Sequence, residues 1–137
     1  VGDGPTRKQL QLQCPDAIFA GFQRGEDLAA CYASSDLFLF PSLTETFGNV
    51  LIEAMASGLA VLAFDYAAAN THLQHGVNGL KAAYGDEAEF LRLATELAMA
   101  PETARRLGQA ACVTAQGLAW ESVLDKLLED YRQLLAG

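Results

Sequence analysis

The chain has 137 residues, of which 51% are hydrophobic and 19% charged, and its formal net charge is −8. This is the length of one domain, with enough apolar residues to build a core, so the composition excludes a disordered chain. The acidic balance excludes a general nucleic-acid-binding surface, although one small phosphorylated ligand remains compatible with it. The three cysteines are widely spaced and form no CxxC or Cys/His pattern, which predicts free thiols in a reducing compartment and no metal site.

The sequence also bears on where the protein resides. Its longest apolar runs, such as LFLFP and LAVLAF, are much shorter than the roughly 20 residues that a bilayer span requires. No signal-peptide pattern is visible. We therefore expect no transmembrane segment and a cytoplasmic location. The chain opens on VGDGP, which is typical of a strand that is already ending, so we also expect it to be a piece of a longer protein.

The predicted elements alternate between helices and short apolar strands. In chain order they are a strand tail at 1–2, a helix at 5–13, a strand at 17–22, a helix at 26–34, the strand LFLF, a helix at 48–57, the strand AVLAF, a short helix within 66–77, and helices at 86–100, 101–117 and 121–135. Strands that are apolar throughout are buried on both faces, and their alternation with helices predicts an α/β fold with a parallel sheet. Ligands of such sheets bind beyond the carboxyl ends of the strands, so the loops at 21–26, 41–48 and 64–71 are candidate ligand contacts.

The segment PSLTETFGNVLIEAMASG carries two acids, Glu45 before a predicted helix and Glu53 within it. A helix N-terminus presents unpaired amides and a partial positive charge, so Phe47, Gly48 and Asn49 could bind a phosphate. Glu53 lies roughly 6 Å along the axis from Asn49 at about 1.5 Å per residue. A nucleoside diphosphate at the helix start would bring its ribose diol to Glu53, while Glu45 would meet what lies beyond the phosphates.

Two glutamates at this spacing are also compatible with different roles. A lone glutamate in an apolar helix can pair with a hidden cation, because an unpaired buried charge is costly. A glycosidase-like acid–base pair needs two carboxyls that face a scissile bond, whereas these two lie at different heights on one element. A dinucleotide-dependent dehydrogenase needs G-x-G-x-x-G after a strand, and VGDGP does not supply it.

The longer run PSLTETFGNVLIEAMASGLAVLAFD resembles the nucleotide-sugar half of the family 4 retaining glycosyltransferases, which have the GT-B fold. Their pattern is P-S-x-x-E-x-F-G-x-x-x-x-E-A-M-A-x-G-x-P-V-V-A. The matching positions are Pro41, Ser42, Glu45, Phe47, Gly48, Glu53, Ala54, Met55, Ala56, Gly58, Val61 and Ala63. Further matches along the chain are VGDGP, Phe19 and Gly21, Asp36, HGVNGL, Trp120 and Tyr131. So many matches in order favour this resemblance over a chance pair of glutamates.

The resemblance implies a Rossmann-like parallel sheet flanked by helices, forming the incomplete C-terminal half of a GT-B fold. Residues 1–137 would then be a single nucleotide-sugar-binding domain that lacks its first strand and the N-terminal acceptor domain. In a doubly wound sheet that strand is central, so an exposed edge would allow self-association. The parts outside the chain could place the protein at the inner face of the membrane.

The resemblance further implies transfer of a hexose from a UDP-sugar or GDP-sugar to an unidentified acceptor, with retention of configuration. Glu45, the catalytic candidate, would lie beside the donor sugar and diphosphate without acting as a nucleophile. Glu53 would bind the ribose, and the amides of Phe47, Gly48 and Asn49 would contact the phosphates.

The same resemblance implies that another loop binds the base of the donor nucleotide. Gly21, Phe22 and Arg24 would lie near the base. Neither a cofactor nor a metal is expected, so helix-end amides and basic side chains would have to stabilise the departing diphosphate.

The sequence departs from the family pattern at Ala60, where proline is usual, and in two further places. Where the family often has a Gly-Gly pair followed by an acid or Gln, this chain has Ala67, Ala68 and Thr71. A sugar contact by Asp65 or His72 stays open there, beside a helix cap for Asp65 and a surface role for His72. The basic strand and loop of the family, which should precede VGDGP, are not in the chain, so we expect the 137 residues alone to be inactive.

Two other functions of the same fold stay open. One is a non-catalytic nucleotide-sugar-binding or interaction module, which turnover by the full-length protein would exclude. The other is a nucleotide-sugar epimerase, which would act on the free sugar nucleotide with no acceptor present.

Overall fold

The structure is a computed structural model that describes residues 1–44, 48–118 and 120–136. The chain forms two compact units, residues 1–35 and residues 36–137. The helices of the first unit are α1 (Arg7–Gln13) and α2 (Gly25–Ala33). The second unit contains β1 (Leu37–Phe40), α3 (Asn49–Ala56), β2 (Ala60–Phe64), α4 (Ala67–His72), β3 (Leu80–Ala82), α5 (Glu87–Ala98), α6 (Pro101–Gln116) and α7 (Trp120–Ala136).

The first unit has no strand among its described residues, so the strands predicted at 1–2 and 17–22 are wrong. One backbone hydrogen bond, from the N–H of Gly2 to the carbonyl of Gly21 at 2.7 Å, joins the two segments. A strand needs a ladder of such bonds to a neighbouring strand, and an apolar run does not create that neighbour. Ile18, which the prediction placed in the core, is 93% exposed.

The second unit is built on a three-stranded parallel sheet in the order β1-β2-β3. The central strand β2 is buried along its whole length, as its apolar run predicted. The predicted burial of LFLF on both faces is wrong: Leu39 is 46% exposed, and the other three residues of β1 are only partly buried. The sequence also failed to indicate β3, a three-residue strand that contains Lys81 and therefore lacks an apolar run.

The helices of the second unit begin where local signals placed them. The carboxylate of Asp86 accepts the N–H of Glu89 at 2.9 Å and caps α5. Pro101 is the first residue of α6, a position that suits proline because the first N–H groups of a helix have no partner within it.

Apolar side chains of α7 that the structure describes are about half exposed or more: Leu124, Leu127, Leu128, Tyr131, Leu134 and Leu135. Among the described helices, none is both long and apolar enough to cross a membrane.

Helix α3 is positioned by contacts with β2 and α6. Its buried side chains are Leu51, Ala54 and Met55, which are fully inaccessible to solvent. Helix α6 approaches the C-terminal end of α3 through Gly108, which has no side chain and lies against the backbone of Gly58. This close approach fixes the end of α3 and thereby the direction in which its N-terminus points.

Candidate functional site

The N-terminus of α3 lies at the carboxyl edge of the sheet, because the helix follows β1 after a short loop. Gly48 caps the helix in the left-handed conformation, with φ of 67°, which glycine adopts without the steric cost of a side chain. Its carbonyl accepts the N–H groups of Leu51 and Ile52 at 2.9 and 3.1 Å. The helix therefore begins at Asn49, which is exposed, while its cap residue Gly48 is buried. Glu45 and Phe47, also predicted for this site, lie outside the described residues.

The face of α3 that carries Glu53 is open to solvent. Asn49 and Glu53, four residues apart and so on one side of the helix, are both exposed, while Leu51, Ala54 and Met55 face the core. Although its sequence is mostly apolar, α3 is not buried all round: the side that packs against β2 and α6 is covered, and the side that carries Glu53 is exposed. Glu53 is exposed, so its carboxylate is accessible from the solvent on this face of the helix. The arrangement suits a ligand that runs along the exposed face from the helix start.

The loop between β1 and α3 is restrained by two side-chain hydrogen bonds in its described part. The hydroxyl of Ser42 donates to the carbonyl of Thr44 at 2.7 Å. The phenol of Tyr84 donates to the carbonyl of Leu43 at 2.9 Å. Sequence reasoning missed Tyr84, because it follows the unpredicted strand β3 and bonds a residue 41 positions away.

The loop after β2 contains a residue other than glycine in the left-handed backbone conformation that glycine favours. Ala67 has φ of 44°, in the left-handed region that a residue with a side chain adopts at a cost of about 1 kcal/mol or more. This is the place where the resemblance leads one to expect glycine. The predicted cap by Asp65 is wrong: Tyr66 occupies the N-cap position of α4, and Asp65 instead pairs with Lys81 at 2.8 Å. Thr71 donates to the carbonyl of Ala67 at 3.2 Å, within its own helix.

The lysines and arginines of the second unit are distant in the sequence from the start of α3. Residues 36–80 contain no lysine or arginine, and Lys81, the first cation after them, is paired with Asp65. A diphosphate at α3 would therefore depend on backbone amides and on cations from outside this stretch. Within the described ranges, His, Cys, Asp and Glu side chains form no group of three that could hold a metal ion.

The residues predicted to lie near the base belong to the first unit. Gly21 is buried with φ of 76°, and a Cβ at this position would lie 3.2 Å from the guanidinium of Arg7. That guanidinium donates to the carbonyl of Phe19 at 3.0 Å, so it restrains the segment that leads to Gly21. Phe22 is 62% exposed, and the guanidinium of Arg24 lies 4.8 Å from its ring centre. The pair offers an accessible aromatic face and a cation, which are groups that can stack on a nucleobase.

Comparison with known proteins matches the chain to one family. A family model described as "Glycosyl transferases group 1" matches residues 1–99. The GDP-mannose-dependent alpha-mannosyltransferase of Corynebacterium glutamicum is 38% identical over 136 residues, which are 99% of this chain and 33% of that protein. The chain spans about a third of the length of the curated relatives it matches.

Solved structures show the same fold. Sucrose-phosphate synthase from Thermosynechococcus elongatus has a TM-score of 0.78 at 27% identity, over 98% of this chain and 37% of that one. Anabaena Alr3699/HepE in complex with UDP-glucose has a TM-score of 0.73 at 25% identity, over 96% of this chain and 39% of that one. These likenesses confirm the predicted α/β fold, a parallel sheet with flanking helices that corresponds to part of a GT-B fold.

Proposed function

Because this chain belongs to the group 1 glycosyltransferases, we propose that it supplies the donor site for transfer of a hexose from a nucleoside-diphosphate sugar with retention of configuration. The observation that carries the proposal is the exposed face of α3, which places Glu53 in line with the first amides of the helix at the carboxyl edge of the sheet. That edge is where ligands of open α/β sheets bind.

The diphosphate would be bound by backbone amides at the start of α3. We assign this role to the N–H groups of Gly48, the buried cap residue, and Asn49, the exposed first residue of the helix, where the helix dipole also favours an anion. Because Gly48 has no side chain, a phosphate oxygen can approach the backbone closely. We assign the ribose hydroxyls to Glu53, since an ionised carboxylate accepts two hydrogen bonds from a diol.

In the transfer step, the bond between the anomeric carbon and the diphosphate oxygen breaks, and a bond from that carbon to an acceptor oxygen forms on the same face. The acceptor proton passes to the departing diphosphate, whose added negative charge the α3 amides stabilise. Glu45 precedes these amides in the chain, and we propose that it contacts the donor sugar without bonding covalently to it. The step requires no metal.

We propose GDP as the preferred nucleotide and mannose as the sugar. The support is the 38% identity to a GDP-mannose-dependent alpha-mannosyltransferase over almost the whole chain. A structural neighbour with UDP-glucose bound is less similar in sequence, at 25% identity. We assign the acceptor to a part of the complete protein outside the 137 residues.

Removal of the Glu53 carboxylate tests the assigned ribose contact. We expect Glu53→Ala to weaken GDP binding by about 10- to 100-fold, because hydrogen bonds to a charged group contribute about 1.5–3 kcal/mol. Isothermal titration calorimetry of wild type and variant with GDP and with UDP measures this effect. Circular dichroism before each titration shows that the protein is folded.

Glu129→Ala is the matched control, because it also removes an exposed carboxylate, here from α7. It should bind GDP within twofold of the wild type. Equal affinity of Glu53→Ala and Glu129→Ala for GDP would contradict the ribose assignment. Tighter binding of UDP than GDP would contradict the proposed base and leave the ribose contact standing.

The 137 residues alone are expected to show no transferase turnover. Residues 36–80 supply no lysine or arginine, and amides without such cations leave much of the diphosphate charge uncompensated. Release of GDP from GDP-mannose by the purified chain, followed over hours, measures this. Turnover above a Glu45→Gln control would show that the chain holds a complete transfer site.

The same assay on the complete protein separates the enzyme from a binding module. Binding of GDP-mannose with no transfer and no hydrolysis would favour a non-catalytic module of the same fold.

We place the protein in the cytoplasm, because Cys14, Cys31 and Cys112 are free thiols and a reducing compartment keeps them so.

A further inference from the structure

Tyr84 lies at the carboxyl end of β3 and connects two loops at that edge of the sheet. Its phenol donates to the carbonyl of Leu43 at 2.9 Å. Leu43 is two residues before Glu45 in the chain, so this bond restrains the backbone that leads directly to the catalytic candidate. Loop residues restrained from a rigid neighbouring strand are held more accurately than residues of a free loop.

The ring of Tyr84 is itself held by aromatic neighbours. Its centroid lies 4.9 Å from that of Tyr66 and 6.5 Å from that of Phe64, the last in an edge-to-face arrangement. Phe64 in turn packs on Phe90 of α5 at 5.0 Å. Such aromatic pairs fix ring orientation, so the phenol oxygen is directed by contacts that reach the core.

This hydrogen bond has little to do with stability. Tyr84 is 55% exposed, and a neutral hydrogen bond contributes only about 1 kcal/mol net when water can replace it. Without the phenol, a water molecule could donate a hydrogen bond to the Leu43 carbonyl, but it would not restrain the position of that carbonyl. The contribution of the phenol is therefore expected in the geometry of the loop.

We propose that Tyr84 is a positioning residue for transfer, which acts through the carbonyl of Leu43 on the loop that leads to Glu45 in the chain. This inference rests on the proposed function. The proposal assigns Tyr84 no contact with the donor. Its effect should therefore fall on steps that involve the sugar and spare the binding of the nucleotide, because the first amides of α3 and Glu53 lie further along the chain.

Tyr84→Phe in the complete protein tests the proposal, because it removes one oxygen and keeps the ring packing. The probe is GDP-mannose with water as acceptor, and GDP release is measured. We expect kcat to fall about tenfold, while the Kd for GDP changes less than twofold and the melting temperature by less than about 2 °C. Tyr131→Phe, which removes the phenol oxygen of an exposed tyrosine on α7, is the matched control and should leave kcat within twofold.

A double variant tests whether Tyr84 acts through Glu45. In a Glu45→Gln background, Tyr84→Phe should lower kcat by less than twofold, because residues that act as one unit are not additive. A full tenfold loss in that background would overturn the proposed route. So would an unchanged kcat in Tyr84→Phe, or a fall in kcat that accompanies equal losses of GDP affinity and thermal stability.

Failure of the proposed function gives a different result. If the wild-type protein releases no GDP from GDP-mannose or UDP from UDP-glucose, the enzyme assignment fails and the role of Tyr84 fails with it. If the wild type is active and Tyr84→Phe matches it in kcat, only the role of Tyr84 is overturned.

Discussion

Replacing Gly108 with alanine is expected to lower the free energy of unfolding by about 3 kcal/mol or more, which is the upper part of the range for overpacked sites. A Cβ at this position would overlap the carbonyl oxygen of Gly58 and lie 2.9 Å from its carbonyl carbon. Both contacts are to backbone, so no side-chain rotation can relieve them. Alanine gains about 1 kcal/mol of helix propensity over glycine, which is too little to offset the overlap. Urea denaturation followed by circular dichroism measures the change.

Gly117→Ala is the matched control for this experiment. Gly117 ends α6 with φ of −70°, and a Cβ there would make an ordinary contact of 3.4 Å with the carbonyl of Thr114. Its stability should stay within about 1 kcal/mol of the wild type, because alanine fits that conformation. If Gly108→Ala were as stable as Gly117→Ala, helices α3 and α6 could not approach each other as closely as the structure shows.

The Gly108 contact also concerns the candidate site. Helix α6 packs against the end of α3 that is opposite the proposed phosphate amides. A partial separation of the two helices would tilt α3 and move Glu53. We therefore expect any Gly108→Ala protein that still folds to bind GDP more weakly than the Gly117→Ala protein.

Replacing Asn78 with aspartate is expected to lower the free energy of unfolding by about 1–3 kcal/mol, because it puts a carboxylate at a buried position and removes the donors of two hydrogen bonds. Asn78 is 4% exposed. Its side-chain oxygen accepts the N–H of Gln74 at 2.7 Å, and its amide nitrogen donates to the carbonyl of His72 at 3.0 Å and to the hydroxyl of Thr114 at 3.1 Å. Aspartate has nearly the same shape, but its ionised carboxylate would accept where this site needs two donors.

Asn70→Asp provides the comparison, since it makes the same chemical change at an exposed position of α4. We expect it to alter the free energy of unfolding by less than about 1 kcal/mol, as is usual for surface substitutions. Thermal unfolding of both variants at neutral pH is sufficient. Equal melting temperatures for the two variants would mean that the Asn78 bonds are replaced by water at little cost.

The two stability predictions concern contacts that join distant parts of the sequence. Gly108 meets Gly58, and Asn78 connects the turn before β3 to Thr114 of α6. Together they link α6 to the end of α3 and to the sheet. The helix that carries the candidate donor site is thus held by contacts that its own sequence does not contain.

Local signals in the sequence determined much of the second unit. Asp86 and Pro101 mark the starts of α5 and α6 because capping and the missing N–H of proline act within one turn. The AVLAF run predicted a buried strand, and β2 is buried at every position. Gly48, which enters the motif by resemblance, is required by a left-handed cap. Each of these features depends on neighbours in the chain, which is why the sequence alone sufficed.

Partners distant in the chain decided the rest. The apolar run around Ile18 forms no strand among the described residues, and β3 exists despite its lysine, because strand pairing depends on which backbone lies alongside. Glu53 was predicted from its position, but only packing against α6 and β2 determined which face of α3 stays in water. The bond from Tyr84 to Leu43 spans 41 residues and has no periodicity that a sequence could show. The sequence by itself determined the family, the helices and the central strand; tertiary packing decided which strands pair and which side chains lie at the candidate site.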